Sequence, residues 1–146
     1  MPTISPDRMP TTGLLGRAYN KLSAEIFDRV RSAGAADIRP SHGNVMEQLT
    51  IEHPLRLTDI AQRSGITAQS AGALVDELEE LGYVERRPDP GDRRAKLIHL
   101  TAKGRRNADL AFDIVKDIEE ELEHRLGRRS LAQLRRALIA ITQTLR

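Results

Sequence analysis

A mainly α-helical fold with one small β-hairpin is what this chain predicts, and three observations carry the prediction. Apolar residues recur every three or four positions along most of the sequence, the period of a helix with one buried face. Only two longer runs, Tyr83 to Arg87 and Lys96 to Leu100, read as strands, and the turn-rich segment Pro88-Asp89-Pro90-Gly91-Asp92 separates them. Just upstream, two helical patterns meet at Gly65, so the order is helix, tight turn, helix, hairpin. That order describes a winged helix-turn-helix, with further helices before and after it.

In chain order, residues 1–12 are polar, hold three prolines and show no periodicity, which predicts a loose N-terminal arm. Gly13 to Arg31 carries Leu15, Ala18, Leu22, Ile26 and Val30 at helical spacing, and the small residues from Ser32 to Asp37 break it. A second helix follows through Val45, Met46 and Leu49, with Ser41 as the expected N-cap. His53-Pro54 closes it, and Leu55 to Leu57 suits a short strand paired with the hairpin.

The helix-turn-helix comes next. Leu57, Ile60 and Ala61 mark its first helix, which stops at Gly65. Thr67 is placed to cap the second helix, because its hydroxyl can accept a bond from an unpaired first-turn N–H. Ala71, Leu74, Val75, Leu78 and Leu81 form its apolar face, and Gly82 ends it in the left-handed conformation. In the hairpin turn, Gly91 is expected to supply a positive φ.

A long helix, roughly Ala102 to Leu126, starts after Thr101; at ~1.5 Å per residue it spans about 37 Å. Its stripe of Ala108, Ala111, Ile114, Val115, Ile118 and Leu122 is too narrow for full burial. Gly127 ends it, and Ser130 is the expected cap of a last helix with Leu131, Leu134, Leu138, Ile141 and Leu145 on one face. The organisation is then an arm at 1–12, a dimerisation helix at 13–36, the winged domain at 37–101, and the long helix with a C-terminal dimerisation helix at 102–146. A lone monomer would leave much of the terminal apolar faces wet, so a two-fold homodimer is expected.

Composition narrows the function. The chain has 146 residues and no cysteine, which excludes disulfides, thiolate catalysis and a cysteine redox switch. There is no P-loop or GxGxxG stretch, and the four histidines lack metal-ligand spacing, so neither an enzyme, a metal nor a cofactor is expected. The acids from Asp117 to Glu123 read as the solvated face of a helix rather than a catalytic pair. No run of ~18 apolar residues and no signal pattern is present, which predicts a cytoplasmic protein away from the membrane. Net charge is only +2, but Gly82 to Arg106 holds eight cations against three anions, whereas Asp113 to Glu123 holds six acids against one lysine. A basic hairpin beside a helix-turn-helix points to a polyanion.

The stretches LTDIAQRSGIT, VDELEELGYVER and DPGDRRAKLIHLTAKG resemble the multiple-antibiotic-resistance (MarR-type) transcriptional regulators. Asp92-Arg93-Arg94 followed by Leu100-Thr101 and Gly104 is the most specific part of that resemblance. It implies a homodimer on double-stranded DNA with a pseudo-palindromic operator, acting as a repressor released by a small aromatic or phenolic ligand. The absence of cysteine removes the peroxide-sensing branch of such proteins.

Candidate DNA contacts follow. Thr67, Gln69 and Ser70 stand in the first turn of the second helix, where base edges come within reach. Arg94 matches the family's minor-groove arginine, Arg93 suits phosphates, and Arg86 and Arg87 at the hairpin base lie within phosphate reach. Asp92 could pair with the Arg94 guanidinium and fix its direction. Arg63 and Thr58 are further phosphate candidates. Gly72 and Ala73 stand where relatives often carry a polar residue and an arginine; glycine inside a helix costs about 1 kcal/mol, either for a close backbone approach or to no purpose. Tyr19 and His42 are the polar-tipped candidates for an effector pocket. Two rival functions stay open: a winged-helix module for protein contacts, and a ligand-binding helical protein without a DNA role.

Overall fold

The computed structural model describes residues 5–144 and divides into two compact units between Phe112 and Asp113. The first unit contains α1 (Thr11–Ser32), α2 (Gly43–Ile51), β1 (Leu55–Arg56), α3 (Leu57–Ser64), α4 (Ala68–Glu80), β2 (Val84–Asp89), β3 (Asp92–Leu100) and the start of α5 (Ala102–Leu126). The three strands form one antiparallel sheet in the order β1-β3-β2. The bounds of α3 and α5 match those that periodicity predicts.

The chain departs from expectation near its start. α1 begins at Thr11 because Pro10, with φ already fixed near the helical value, offers its carbonyl to the N–H groups of Gly13 at 2.9 Å and Leu14 at 3.1 Å. Within the expected loose arm, Pro6–Arg8 form a 3-10 turn; the arm's first four residues lie outside the described residues. Ser41 does not cap α2. Pro40–His42 already turn as a 3-10 helix that runs straight into Gly43; the His42 ring closes that turn, its Nδ1 accepting the Arg39 N–H at 3.0 Å, and α2 itself has no side-chain cap.

The core of the winged domain lies where α2, α3 and α4 meet. Val45 and Leu49 from α2, Ile60 from α3, and Ala71, Val75 and Leu78 from α4 are wholly buried, and Val84, Ile98 and Leu100 join them from the sheet. Each large side chain there contributes about 1.5–3 kcal/mol by leaving water. α4 then stops as predicted, with Gly82 at φ 83° and its N–H bonded to the Glu79 carbonyl.

The junction into α5 explains a motif that the sequence marks without a reason. Thr101 Oγ1 donates to the Gly82 carbonyl at 2.5 Å and accepts the Gly104 N–H at 3.0 Å, so it caps α5 while gripping the end of α4. A Cβ on Gly104 would stand 2.0 Å from the Tyr83 carbonyl oxygen, which only a hydrogen allows. Beside it the Tyr83 hydroxyl donates to Asp37 at 2.5 Å, and Lys103 bonds Asp37 at 3.2 Å and the Leu81 carbonyl at 2.7 Å. Burial, with Asp37 behind it, pushes the Tyr83 phenol up; the Tyr83 hydroxyl and Lys103 hold Asp37 below the usual carboxylate range.

The second unit holds the rest of α5 and α6 (Arg128–Thr144). Gly127, at φ 83°, ends α5 and its carbonyl accepts the Leu131 N–H at 3.1 Å, so the backbone itself starts the next helix. Ser130 therefore sits inside the first turn of α6 and is not its cap. Of the predicted stripe on α6, Leu131 is buried, while Leu134, Leu138 and Ile141 are exposed, as is the neighbouring Ile139; Leu145 lies outside the described residues. Among the described residues no helix is long and apolar enough to cross a membrane.

Candidate nucleic-acid interface

The wing is built by an unequal ladder. Val84 faces Leu100, Glu85 faces His99, Arg86 faces Ile98, Arg87 faces Leu97 and Pro88 faces Lys96. The next pair is Asp89 with Asp92, which leaves Arg93, Arg94 and Ala95 without partners on β2. The strands thus run further out than the sequence predicts, to a connection of only Pro90-Gly91, and the two arginines sit in the bulged length of β3. Both are exposed, and neither side chain has an ion pair among the described residues.

Two aspartates shape that tip, and only one was expected. Asp92 accepts the Arg94 backbone N–H at 2.9 Å rather than its guanidinium, so it fixes the chain and leaves the Arg94 side chain unpaired. Asp89 is the residue that sequence reasoning missed. Its Oδ1 accepts the Gly91 N–H at 2.8 Å, and its Oδ2 accepts both Nε and Nη2 of Arg56, at 2.8 and 2.6 Å. The Gly91 N–H and the Arg56 guanidinium hold its carboxyl below the usual range, and Asp89 in turn raises Arg56. Gly91 is not in the positive-φ region; the Asp89 side chain organises the turn instead. Asp89 in a Pro-Asp-Pro-Gly turn carried that signal, whereas Arg56, 33 residues earlier in the chain, carried none.

The base of the wing is tied to α4. Arg86 pairs with Asp76 at 2.7 Å and Glu79 at 3.0 Å on α4, and Glu79 also accepts the Arg86 N–H at 3.0 Å. Only 23% of its side chain is exposed, so Arg86, expected within phosphate reach, orients β2 on α4 through both carboxylates here. Arg87 is exposed but ion-paired with Glu85, and Arg63 donates to Glu52 at 2.8 Å.

At the other end of the helix, Thr67 caps α4, its oxygen accepting the Ser70 N–H at 3.1 Å, while its hydroxyl donates to Ser70 Oγ at 2.9 Å. Both residues and Gln69 are exposed on the first turn. Gly72 is not required by a close backbone: a Cβ there would meet only Leu57 Cδ2, at an ordinary 3.6 Å. Further along α4, Glu77 accepts His42 Nε2–H at 2.7 Å and pairs with Arg39, which, followed by His42, holds it below the usual carboxylate range. Since Nδ1 of His42 accepts from Arg39 N–H, the ring proton sits on Nε2. His42 is 1% exposed with both nitrogens engaged, and Tyr19 on α1 is 60% exposed; the two expected effector ligands share no bonded cluster.

A capped, exposed helix start, a tight Gly65 turn behind it and a two-arginine bulge on the adjoining hairpin define a winged helix-turn-helix protein. The family model described as MarR family matches residues 36–95. That segment, the helix-turn-helix with its wing, is similar throughout to the winged helix-turn-helix domain of this family of transcriptional regulators. It is 33% identical over 101 residues to the uncharacterized HTH-type transcriptional regulator YcgE of Bacillus subtilis (strain 168), covering 63% of this chain and 66% of that one. The chain spans somewhat under two thirds of the length of the curated relatives it matches, 66% and 64%. Among solved structures, the transcriptional repressor CouR bound to a 23-mer DNA duplex is 28% identical with TM-score 0.67, over 88% of this chain and 92% of that one. Wild-type apo MarR from E. coli shares the fold at TM-score 0.67 and 22% identity, over 91% and 96% of the two chains.

Proposed function

We propose that the protein is a homodimeric repressor that binds a pseudo-palindromic operator, with α4 in the major groove and the bulged wing tip in the flanking minor groove. The observation that carries this is the pair Arg93 and Arg94, exposed and without ion pairs among the described residues, beside an exposed, capped helix start. An arginine directed into a narrow A·T-rich groove meets an enhanced negative potential. Repression follows the likeness to CouR, and a small ligand that favours one arrangement of the two reading helices would relieve it. Tyr19, exposed on α1, and His42, buried and bonded to Arg39 and Glu77, are the polar-tipped candidates for that ligand, by likeness to the family.

Operator titration tests the proposal. Arg94→Ala is expected to weaken specific binding at least tenfold and to reduce the slope of log affinity against log salt by about one, with the helical content and assembly unchanged. Unchanged affinity would remove the wing from the interface. Binding that ignores salt and sequence alike would favour a module for protein contacts.

A further inference from the structure

We propose that the reading helix recognises adenine and thymine and carries no cationic reader for guanine: the Gln69 carboxamide pairs with N6 and N7 of adenine, and the Ala73 methyl packs on the 5-methyl of thymine. The proposal rests on the DNA-binding reading above and names the base pairs that site takes.

The composition of the helix comes first. Ala68–Glu80 contains no lysine and no arginine, and those are the side chains that grip guanine O6 and N7. The cations nearest to it in sequence are engaged elsewhere: Arg63 on Glu52, Arg86 on Asp76 and Glu79. A guanine in the major groove under this helix would find no forked cation.

Position along the helix comes next. Gln69 and Ala73 are one turn apart, so they lie on one stripe, and both are exposed. The Gln69 side chain has no hydrogen bond among the described residues, which leaves donor and acceptor both available for adenine. Ser70 is tied to Thr67 through both its N–H and its hydroxyl oxygen, and Gly72 offers no side chain. Continuing the stripe, Asp76 is 67% exposed and Glu80 is exposed, so carboxylates bound the reading length to its first two turns. Asp76 could in principle accept from cytosine N4, but Arg86 holds it at 2.7 Å. On that stripe, what remains to touch base edges is one forked amide and one methyl. Their natural partners are the two bases of an A·T pair.

The test uses the full chain and a duplex enriched from random sequence, remade with single-atom changes. Replacing half-site adenines by 7-deazaadenine is expected to weaken binding about tenfold, an effect absent in Gln69→Ala. Replacing thymine by uracil removes only the methyl and is expected to cost about fourfold, an effect absent in Ala73→Gly. Because Ala73→Gly lowers helix propensity, the double variant Gly72→Ala/Ala73→Gly moves the methyl by one position while keeping one glycine in the helix. It should be equally indifferent to uracil. A tenfold loss with 7-deazaguanine, together with indifference to 7-deazaadenine and uracil, would overturn the proposal and leave the DNA-binding reading standing. If no sequence is enriched at all, that reading fails and the proposal with it.

Discussion

Gly104 carries a hydrogen at a point where any other residue would drive a methyl to 2.0 Å from the Tyr83 carbonyl oxygen. That oxygen is fixed, because it also accepts the Thr101 N–H at 3.0 Å, so the backbone of one element must move. We expect Gly104→Ala to cost about 3 kcal/mol in urea unfolding, the upper end for overpacking. Thr101→Val should cost about 1–2 kcal/mol through the lost cap. The carboxylates add a pH dependence. Asp37, Glu77 and Asp89 are all held below their ordinary range, so their contribution is complete above the unfolded carboxylate values. It is lost as pH falls through the lower folded values. The urea midpoint should therefore decline as pH drops below about 4, and Asp89→Asn should flatten part of that decline. Much of this was legible as a motif: Thr101 and Gly104 stood out in the sequence, but the clash that demands the glycine involves an oxygen 21 positions earlier. The Arg56–Asp89 pair left no trace at all, since nothing local links a strand residue to a turn so far along the chain.

α4 is a helix held at both ends and buried along one face between them. Thr67 and Gly82 close its ends, Arg86 ties its far half to β2, and Glu77 ties it to the turn before α2. Gly72 contributes nothing to that frame. With only Leu57 Cδ2 at 3.6 Å from its would-be Cβ, Gly72→Ala should raise stability by about 0.5–1 kcal/mol, read from the thermal midpoint. A loss of stability would mean that the glycine has a role the contacts do not explain. The helices whose ends use a side chain or a left-handed glycine, α3 and α4, were visible in the sequence to within a residue. Those that start from backbone acceptors, α1 at Pro10 and α6 at Gly127, begin two and three residues before the expected positions. A serine nearby looks like a cap in sequence, yet a carbonyl already in place satisfies the same N–H.

Both units leave large apolar residues in water. On α6, Leu134 at 43% and Ile139 at 52% exposure stand wet, and Leu14 and Tyr19 do the same on α1. Such faces suit the two-fold partner proposed above. Leu138→Glu is expected to shift the protein from dimer to monomer in sedimentation at concentrations where the parent chain is dimeric; a parent chain that is already monomeric would remove the homodimer. The terminal helices were legible as amphipathic, whereas what covers them lies beyond a single chain's sequence. The unequal ladder of the wing has a last consequence. Because Arg93, Arg94 and Ala95 bulge out between the Pro88–Lys96 and Asp89–Asp92 pairs, that triplet is an exchangeable cassette. Its side chains can be replaced without re-threading a single rung between Val84 and Pro88, so one scaffold can carry different grips.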